Sequence, residues 1–306
     1  MMLLYRQQVT YKVTSAAQTK GDIQLTNYAI TGVTGRFGRA ALKTLIDLVP
    51  ADHIIALARN VEKAKTMVPA GVEVRPGDYA NTDQLKASLT GVDRLLLVSS
   101  QPGQAMPRLQ QHKDVIDAAK AAGVAYIAYT SFPHADTATT PLADDHKQTE
   151  AYIKASGLAY SFLRNNWYLE NEADVLKGAM AGQPLVYSAG AGKAGWALER
   201  EYAEAGARVL AADNTKAIYE LAGQARTYQD LADAIDASFD VLAVDDAAYE
   251  QGLEKAGLDA GTAALVTSFQ TLIRDGQLDE DTDDLPTVLG RELTPLADAI
   301  KIVTAE

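Results

Sequence analysis

The chain has no cysteine among its 306 residues. That excludes disulfides, thiolate catalysis, zinc–cysteine sites and iron–sulfur clusters, and it fits a reducing compartment. No apolar run approaches the ~20 residues that span a bilayer, so no membrane association is expected. The N-terminus lacks the apolar stretch of ~7–15 residues that a secretory signal carries, so the expected location is cytoplasmic. Positive charge is scarce: 28 Lys and Arg stand against 40 Asp and Glu, a net charge of −12. So acidic a surface repels phosphate backbones and argues against nucleic acid as a partner.

Apolar residues, at 47%, are plentiful enough for a full core. The length suits one large domain or a nucleotide domain with a smaller lobe. Residues 1–25 show neither helical nor strand periodicity, and two readings stay open. They form an extension, or translation starts near Leu25. Lys20-Gly21-Asp22 can be encoded by a purine-rich ribosome-binding sequence, and Leu25 follows at the spacing of an alternative start codon.

From Tyr28 onward short β-rich runs alternate with helical ones. The pattern predicts strands over 28–31, 53–58, 72–75, 94–98, 125–130 and 159–163. Helices are predicted over 37–49, 110–122 and 142–156, stopping at Pro50, Gly123 and Gly157. Such alternation implies a parallel sheet covered on both faces, a doubly wound Rossmann α/β fold. After Trp167 the rhythm changes. Helices over 199–212, 227–237 and 247–256, with strands over 217–221 and 239–244, are assigned to a smaller C-terminal α+β substrate lobe. The expected division is 26–166 for the nucleotide domain and 167–306 for the lobe, with the sheet shared. The run 275–284 holds six carboxylates and reads as a solvated loop rather than a calcium loop.

Gly32, Gly35 and Gly38 follow the first strand and open the first helix. Spaced glycines alone are weak evidence, but in this context they indicate a dinucleotide site. Gly32 permits the tight turn, Gly35 lets backbone approach a pyrophosphate, and Gly38 lets the helix pack on the strand. Thr34, Arg36 and Phe37 complete the turn at a helix N-terminus that attracts phosphate. The second strand ends at Arg59, where an NAD-specific site usually has an acid. A cation there can pair with a 2′-phosphate, so NADPH is the expected cofactor, with Lys63 assisting. Asp78 and Tyr79 after the third strand, and Ser99 and Ser100 after the fourth, stand where this fold binds its ligand. Capping the next helix is the competing role for Asp78, Ser99 and Ser100.

These residues, together with Ile127-Ala128-Tyr129-Thr130-Ser131, His134-Ala135-Asp136, Leu142-Ala143-Asp144-Asp145-His146 and Leu163-Arg164-Asn165-Asn166-Trp167-Tyr168, resemble the NmrA-like atypical short-chain dehydrogenases. Within them the chain is most similar to the type 2 NAD(P)H:quinone oxidoreductases. The resemblance runs from Tyr28 to nearly the C-terminus. It implies hydride transfer from NADPH to a quinone, with neither flavin nor metal. Ordinary short-chain dehydrogenases use Tyr with Lys four residues later; none of the 14 tyrosines has that partner. The matching helix position carries His146, with Glu150 four residues on.

His146 and Asn166 are therefore the expected catalytic pair, polarising or orienting the acceptor. Trp167 and Tyr168 offer a flat wall for an aromatic substrate, and His134 sits in a lid-like loop. Ser131 and Asn165 are expected on the nicotinamide side. A structural role competes with each of these. A quinone-like small molecule is the expected partner, and a homodimer is left open. The rival function is an NmrA-type redox sensor that binds NAD(P) without turnover.

Overall fold

The computed structural model describes residues 26–305 apart from residue 104, so the readings of 1–25 lie outside the described residues. The chain runs β1 (Tyr28–Ile30), α1 (Arg36–Leu48), β2 (Ile54–Ala58), α2 (Val61–Lys65), β3 (Glu73–Pro76), α3 (Thr82–Ser88), β4 (Arg94–Leu97), α4 (Arg108–Ala122), β5 (Tyr126–Ser131), α5 (Pro141–Ser156) and β6 (Ala159–Asn165). It continues through α6 (Ala173–Met180), β7 (Leu185–Tyr187), α7 (Glu199–Ala211), β8 (Ile218–Leu221), α8 (Tyr228–Asp233), β9 (Val241–Ala243), α9 (Asp246–Lys255), α10 (Ala260–Arg274), α11 (Asp284–Leu289) and α12 (Leu296–Ala305). The six strands and three helices read from the first half of the sequence are present, each shifted by one or two residues at an end.

Seven parallel strands form the main sheet in the order β3-β2-β1-β4-β5-β6-β8. The order reverses between β1 and β4, which leaves a crevice at their C-terminal ends. Every residue of β2 and of β5 is buried, which explains the unbroken apolar run of β2. Alternate residues serve opposite faces. Ile30, Ala56, Leu96 and Leu163 pack against α1 and α7 through Phe37, Leu45, Tyr202 and Leu210. Ala29, Leu57, Leu95 and Phe162 pack against α3, α4 and α5 through Leu85, Ile116 and Ile153.

The segments read at 199–212 and 217–221 correspond to α7 and β8, and both belong to the main layer. Strand β8 pairs with β6, and Tyr202, Leu210, Tyr219 and Leu221 join the core beneath α1. The change of rhythm after Trp167 marks α6 and β7, inserted within the crossover from β6 to β8. A separate core around Leu176, Tyr187, Trp196, Tyr228, Ile273 and Ile300 holds the second lobe. Its two-stranded sheet pairs β7 with β9 in parallel. Helix α8 is shorter than the span 227–237 read for it. It begins with a capping box in which Thr227 and Asp230 satisfy each other's backbone N–H groups.

Candidate cofactor and acceptor site

The glycine turn is built as its spacing requires. Gly32 has φ +66°, a left-handed conformation that favours glycine. Gly35 N–H donates to Gly32 O at 2.9 Å and caps α1. A Cβ on Gly38 would lie 2.4 Å from that same Gly32 oxygen, so the helix can seat on the turn only with glycine there. The first turn of α1 holds no acidic residue and its cap makes no side-chain hydrogen bond. Its free N–H groups and positive end are therefore open to an anion.

A cleft of about 490 Å³ opens in front of this turn, at the switch point. Gly32 and the stretch Thr34, Gly35, Arg36, Phe37 and Gly38 line it, as do Arg59, Asp78, Tyr79, Ser99 and Ser100. These eleven expected cofactor residues are thus brought together. Tyr79 closes the floor: its hydroxyl bonds Thr31 Oγ1 at 2.5 Å and Val98 O at 2.8 Å, tying the end of β3 to β1 and β4. Burial pushes that hydroxyl well above the usual phenol range. Asp78 Oδ1 accepts from Ala80 N at 3.1 Å, and Ser99 N donates to Thr130 Oγ1 at 2.8 Å. Arg36 reaches Glu199 at 3.2 Å across the rim. Lys63 is not among the lining residues; its backbone N–H donates to Asn60 Oδ1, which caps α2.

Behind Phe37 stand Tyr168 and Asn165, which do not themselves line the cleft. The Phe37 and Tyr168 rings stack at 6.3 Å. Asn165 Nδ2 donates to the Tyr168 hydroxyl at 2.9 Å, while Asn165 Oδ1 is buried with no partner. A buried acceptor left open at this end fits an amide donor, which a nicotinamide carboxamide supplies. The open helix end, the glycine cradle and this orphaned oxygen together fit a dinucleotide.

The expectation that His146 and Asn166 touch the acceptor gives way to what surrounds them. His146 is buried, with Nε2 accepting from Arg108 Nη2 at 2.7 Å and Nδ1 at 2.9 Å from the Tyr129 hydroxyl. Burial first, then the Arg108 charge, hold its pKa far below the ordinary imidazole value, so it is neutral and cannot serve as an acid near neutral pH. Asn166 is turned to backbone: Oδ1 accepts from Trp167 N at 2.8 Å and Gly195 N at 3.0 Å, and Nδ2 donates to Leu278 O at 3.2 Å. It bolts three loops together.

Trp167, Ser131 and His134 each have partners within the chain. Trp167 is held by Glu172 Oε1 at 3.0 Å and meets the Phe269 ring edge-on at the margin of the second core. Burial raises the pKa of Glu172, which accepts from both Trp167 and Trp196 and from the Tyr228 hydroxyl. Ser131 donates to Glu150 Oε1 at 2.6 Å inside an ion network centred on Arg164. His134 has φ +47° and stands between Glu280 Oε2 at 2.5 Å and Glu220 Oε1 at 3.8 Å. Glu280 thus turns inward from the acidic run that read as a wholly solvated loop, and burial raises its pKa. His134, Glu220 and Glu280 bring ligand atoms within 4.8 Å of one another, a spacing a metal can use. Glu220 is already engaged by Arg164 at 2.8 Å, which weakens that donor set.

Sequence reading missed Arg108 and His112. His112 is fully buried, with Nε2 accepting from Ser100 N at 3.0 Å. Arg108 is the first residue of α4, directly after the capping Pro107. That Pro-Arg helix start was the available signal, and a helix read from residue 110 passes over it.

Fold and cleft together define an NAD(P)H-binding protein of Rossmann type, and residues 32–175 match the family described as NAD(P)H-binding. Quinone oxidoreductase 2 of Escherichia coli (strain K12) is 38% identical over 292 residues, 89% of this chain and 96% of that one. The chain belongs to the NmrA-like NAD(P)H-binding family that includes that enzyme. The crystal structure of the Escherichia coli NADPH-dependent quinone oxidoreductase complexed with NADPH superimposes with a TM-score of 0.84 at 37% identity, covering 90% of this chain and 99% of that one. Citrobacter sp. triphenylmethane reductase complexed with NADP(H) also gives 0.84, at 33% identity and the same coverage. Among the described residues no helix is long and apolar enough to cross a membrane.

Proposed function

We propose that this chain is a cytoplasmic NADPH-dependent reductase that passes a hydride to a quinone or similar conjugated acceptor, without flavin or metal. The observation that carries this reading is the cleft at the switch point, with the glycine turn at its centre and Arg59 at one end. Bound NADPH supplies the hydride from its nicotinamide ring. The chain's own residues bind and orient. The N–H groups at the start of α1 receive the pyrophosphate. Arg59 pairs with the 2′-phosphate. Asn165 Oδ1 accepts from the carboxamide, and Phe37 and Tyr168 form the flat wall beside which an aromatic acceptor lies.

Placement does most of the chemistry for an acceptor that takes hydride readily. That agrees with the missing Tyr–Lys pair. It also agrees with the relatives, whose names cover a quinone oxidoreductase, a triphenylmethane reductase and, at 24% identity over 281 residues, the NAD(P)H azoreductase of Xenophilus azovorans. The test is the loss of reduced-nicotinamide absorbance with purified, colourless protein, NADPH and a panel of small quinones, with no flavin added. Turnover under those conditions supports the reading; activity that tracks bound flavin, or none with any quinone, refutes it.

A further inference from the structure

We propose that Arg108 is the electrophilic residue of this site, its guanidinium receiving the negative oxygen of the reduced acceptor; this rests on the reductase reading above. Among the described residues Arg108 makes one side-chain hydrogen bond, to His146, and no ion pair, and its Nε is buried with no partner. Arg164 shows the contrast: it is buried and meets three carboxylates. A half-buried guanidinium without a counter-charge is costly, the more so at the first residue of a helix, where the backbone dipole already disfavours a cation. Helix α4 has no acidic residue in its first turn to offset this. A ligand that brings negative charge relieves both costs.

The position suits that ligand. Arg108 stands at the margin of the cofactor cleft: its chain neighbours Met106 and Gln111 line the cleft while its own guanidinium turns to His146, and Phe37 of the same cleft stacks on Tyr168. Burial dominates the upward shift of the Tyr168 hydroxyl, and the Arg108 charge pulls it the other way. His146 acts behind Arg108 as a positioning residue. A guanidinium is always protonated, so His146 Nε2 must be the acceptor in their 2.7 Å bond. The single ring hydrogen of His146 then sits on Nδ1 and is donated to the Tyr129 hydroxyl, 2.9 Å away. That chain aims the guanidinium without offering a proton to the acceptor.

The quinone gains one hydride, and the reduced nicotinamide is oxidised by the same two electrons. One quinone oxygen ends with hydrogen and the other with negative charge. Arg108 stabilises that oxyanion, and a proton from solvent completes the hydroquinone.

Arg108→Gln and Arg108→Lys test this with two readouts, turnover and binding of 2,4-dinitrophenolate, a stable anion that mimics the charged product. Removing one oxyanion donor typically costs about 10²–10³-fold in kcat, and that loss is expected for Arg108→Gln with small quinones. Its NADPH Kd, read by fluorescence, should stay within about twofold of wild type, which also reports an intact fold. Wild type should bind the phenolate, Arg108→Gln should lose at least about tenfold in that affinity, and Arg108→Lys should recover part of both properties. An Arg108→Gln variant with wild-type turnover and phenolate affinity overturns the inference and leaves the reductase reading standing. Wild type that oxidises no NADPH with any quinone overturns the reductase reading and this inference with it.

Discussion

Arg164 grips Glu150 with both arms of its guanidinium fork, Nε to Oε1 at 2.9 Å and Nη2 to Oε2 at 2.7 Å, and both side chains are buried. Its remaining arm reaches Asp136 and Glu220, each at 2.8 Å. Glu150 lies four residues after His146, on the stretch of α5 that matches the catalytic helix of ordinary short-chain dehydrogenases. Here Glu150 on that stretch links Ser131 of β5 to Arg164 of β6. Arg164→Leu should leave Glu150 unpaired in the core and cost about 3–5 kcal/mol of stability, measured by chemical denaturation. The double variant Arg164→Leu with Glu150→Leu should recover part of the loss. A single-variant loss under about 1 kcal/mol would mean that water reaches the network.

Arg59 follows β2, lines the cleft and appears in no ion pair among the described residues. A charged hydrogen bond to a 2′-phosphate contributes on the order of 1.5–3 kcal/mol, roughly 10–150-fold in affinity. Arg59→Asp is expected to lose about that much NADPH affinity by calorimetric titration, with a much smaller change for NADH. Equal wild-type affinities for the two cofactors would remove Arg59 from the recognition scheme.

His112 makes stability depend on pH. Burial first, then the Arg108 charge, lower its pKa from 6.5 to about 3. Its Nε2 accepts from Ser100 N, and its Nδ1 donates to Thr149 Oγ1 at 3.0 Å, so the folded state holds the neutral ring. As pH falls below about 6.5 the unfolded chain takes the proton first, and stability drops until pH nears 3. The slope is at most about 1.4 kcal/mol per pH unit for one proton. Buried His146 acts in the same direction. His112→Gln should flatten the decline between pH 7 and 5 by up to that slope, read from denaturation curves at each pH. Parallel curves for variant and wild type would show that His112 carries none of it.

The nucleotide half was legible because local rules govern it. Gly32 needs a left-handed backbone and Gly38 has no room for a Cβ, and their spacing before an amphipathic helix allows little else. The acceptor end was legible by position but not by role. Asn165 and Asn166 are adjacent and chemically identical, yet one keeps an open oxygen and the other is consumed by Gly195 and Leu278. That difference arises from loops 29 and 112 residues away in the chain, which no local pattern encodes. His146 misled for the same reason. Its neutrality depends on Arg108, 38 residues earlier, and on the burial that both share. Strand β8 was read correctly as a strand, but its place beside β6 depends on long-range packing of Tyr219 and Leu221 beneath α7.

Asn165 offers the sharpest test of where the nicotinamide lies. Its Nδ2 is taken by the Tyr168 hydroxyl, and its Oδ1 has no partner although the residue is only 6% exposed. A buried acceptor left unmet is unfavourable by roughly 1–3 kcal/mol, so a ligand amide that reaches it gains more than a solvated bond would. Asn165→Leu removes that acceptor while roughly keeping the side chain's volume. NADPH affinity should then fall about tenfold. A 2′-phosphorylated ADP-ribose, which lacks the nicotinamide, should bind wild type and variant alike. The comparison separates a local loss at the carboxamide from damage to the fold, since damage would weaken both ligands. Unchanged NADPH affinity in the variant would place the nicotinamide elsewhere and leave the Asn165 oxygen as an unmet cost of folding.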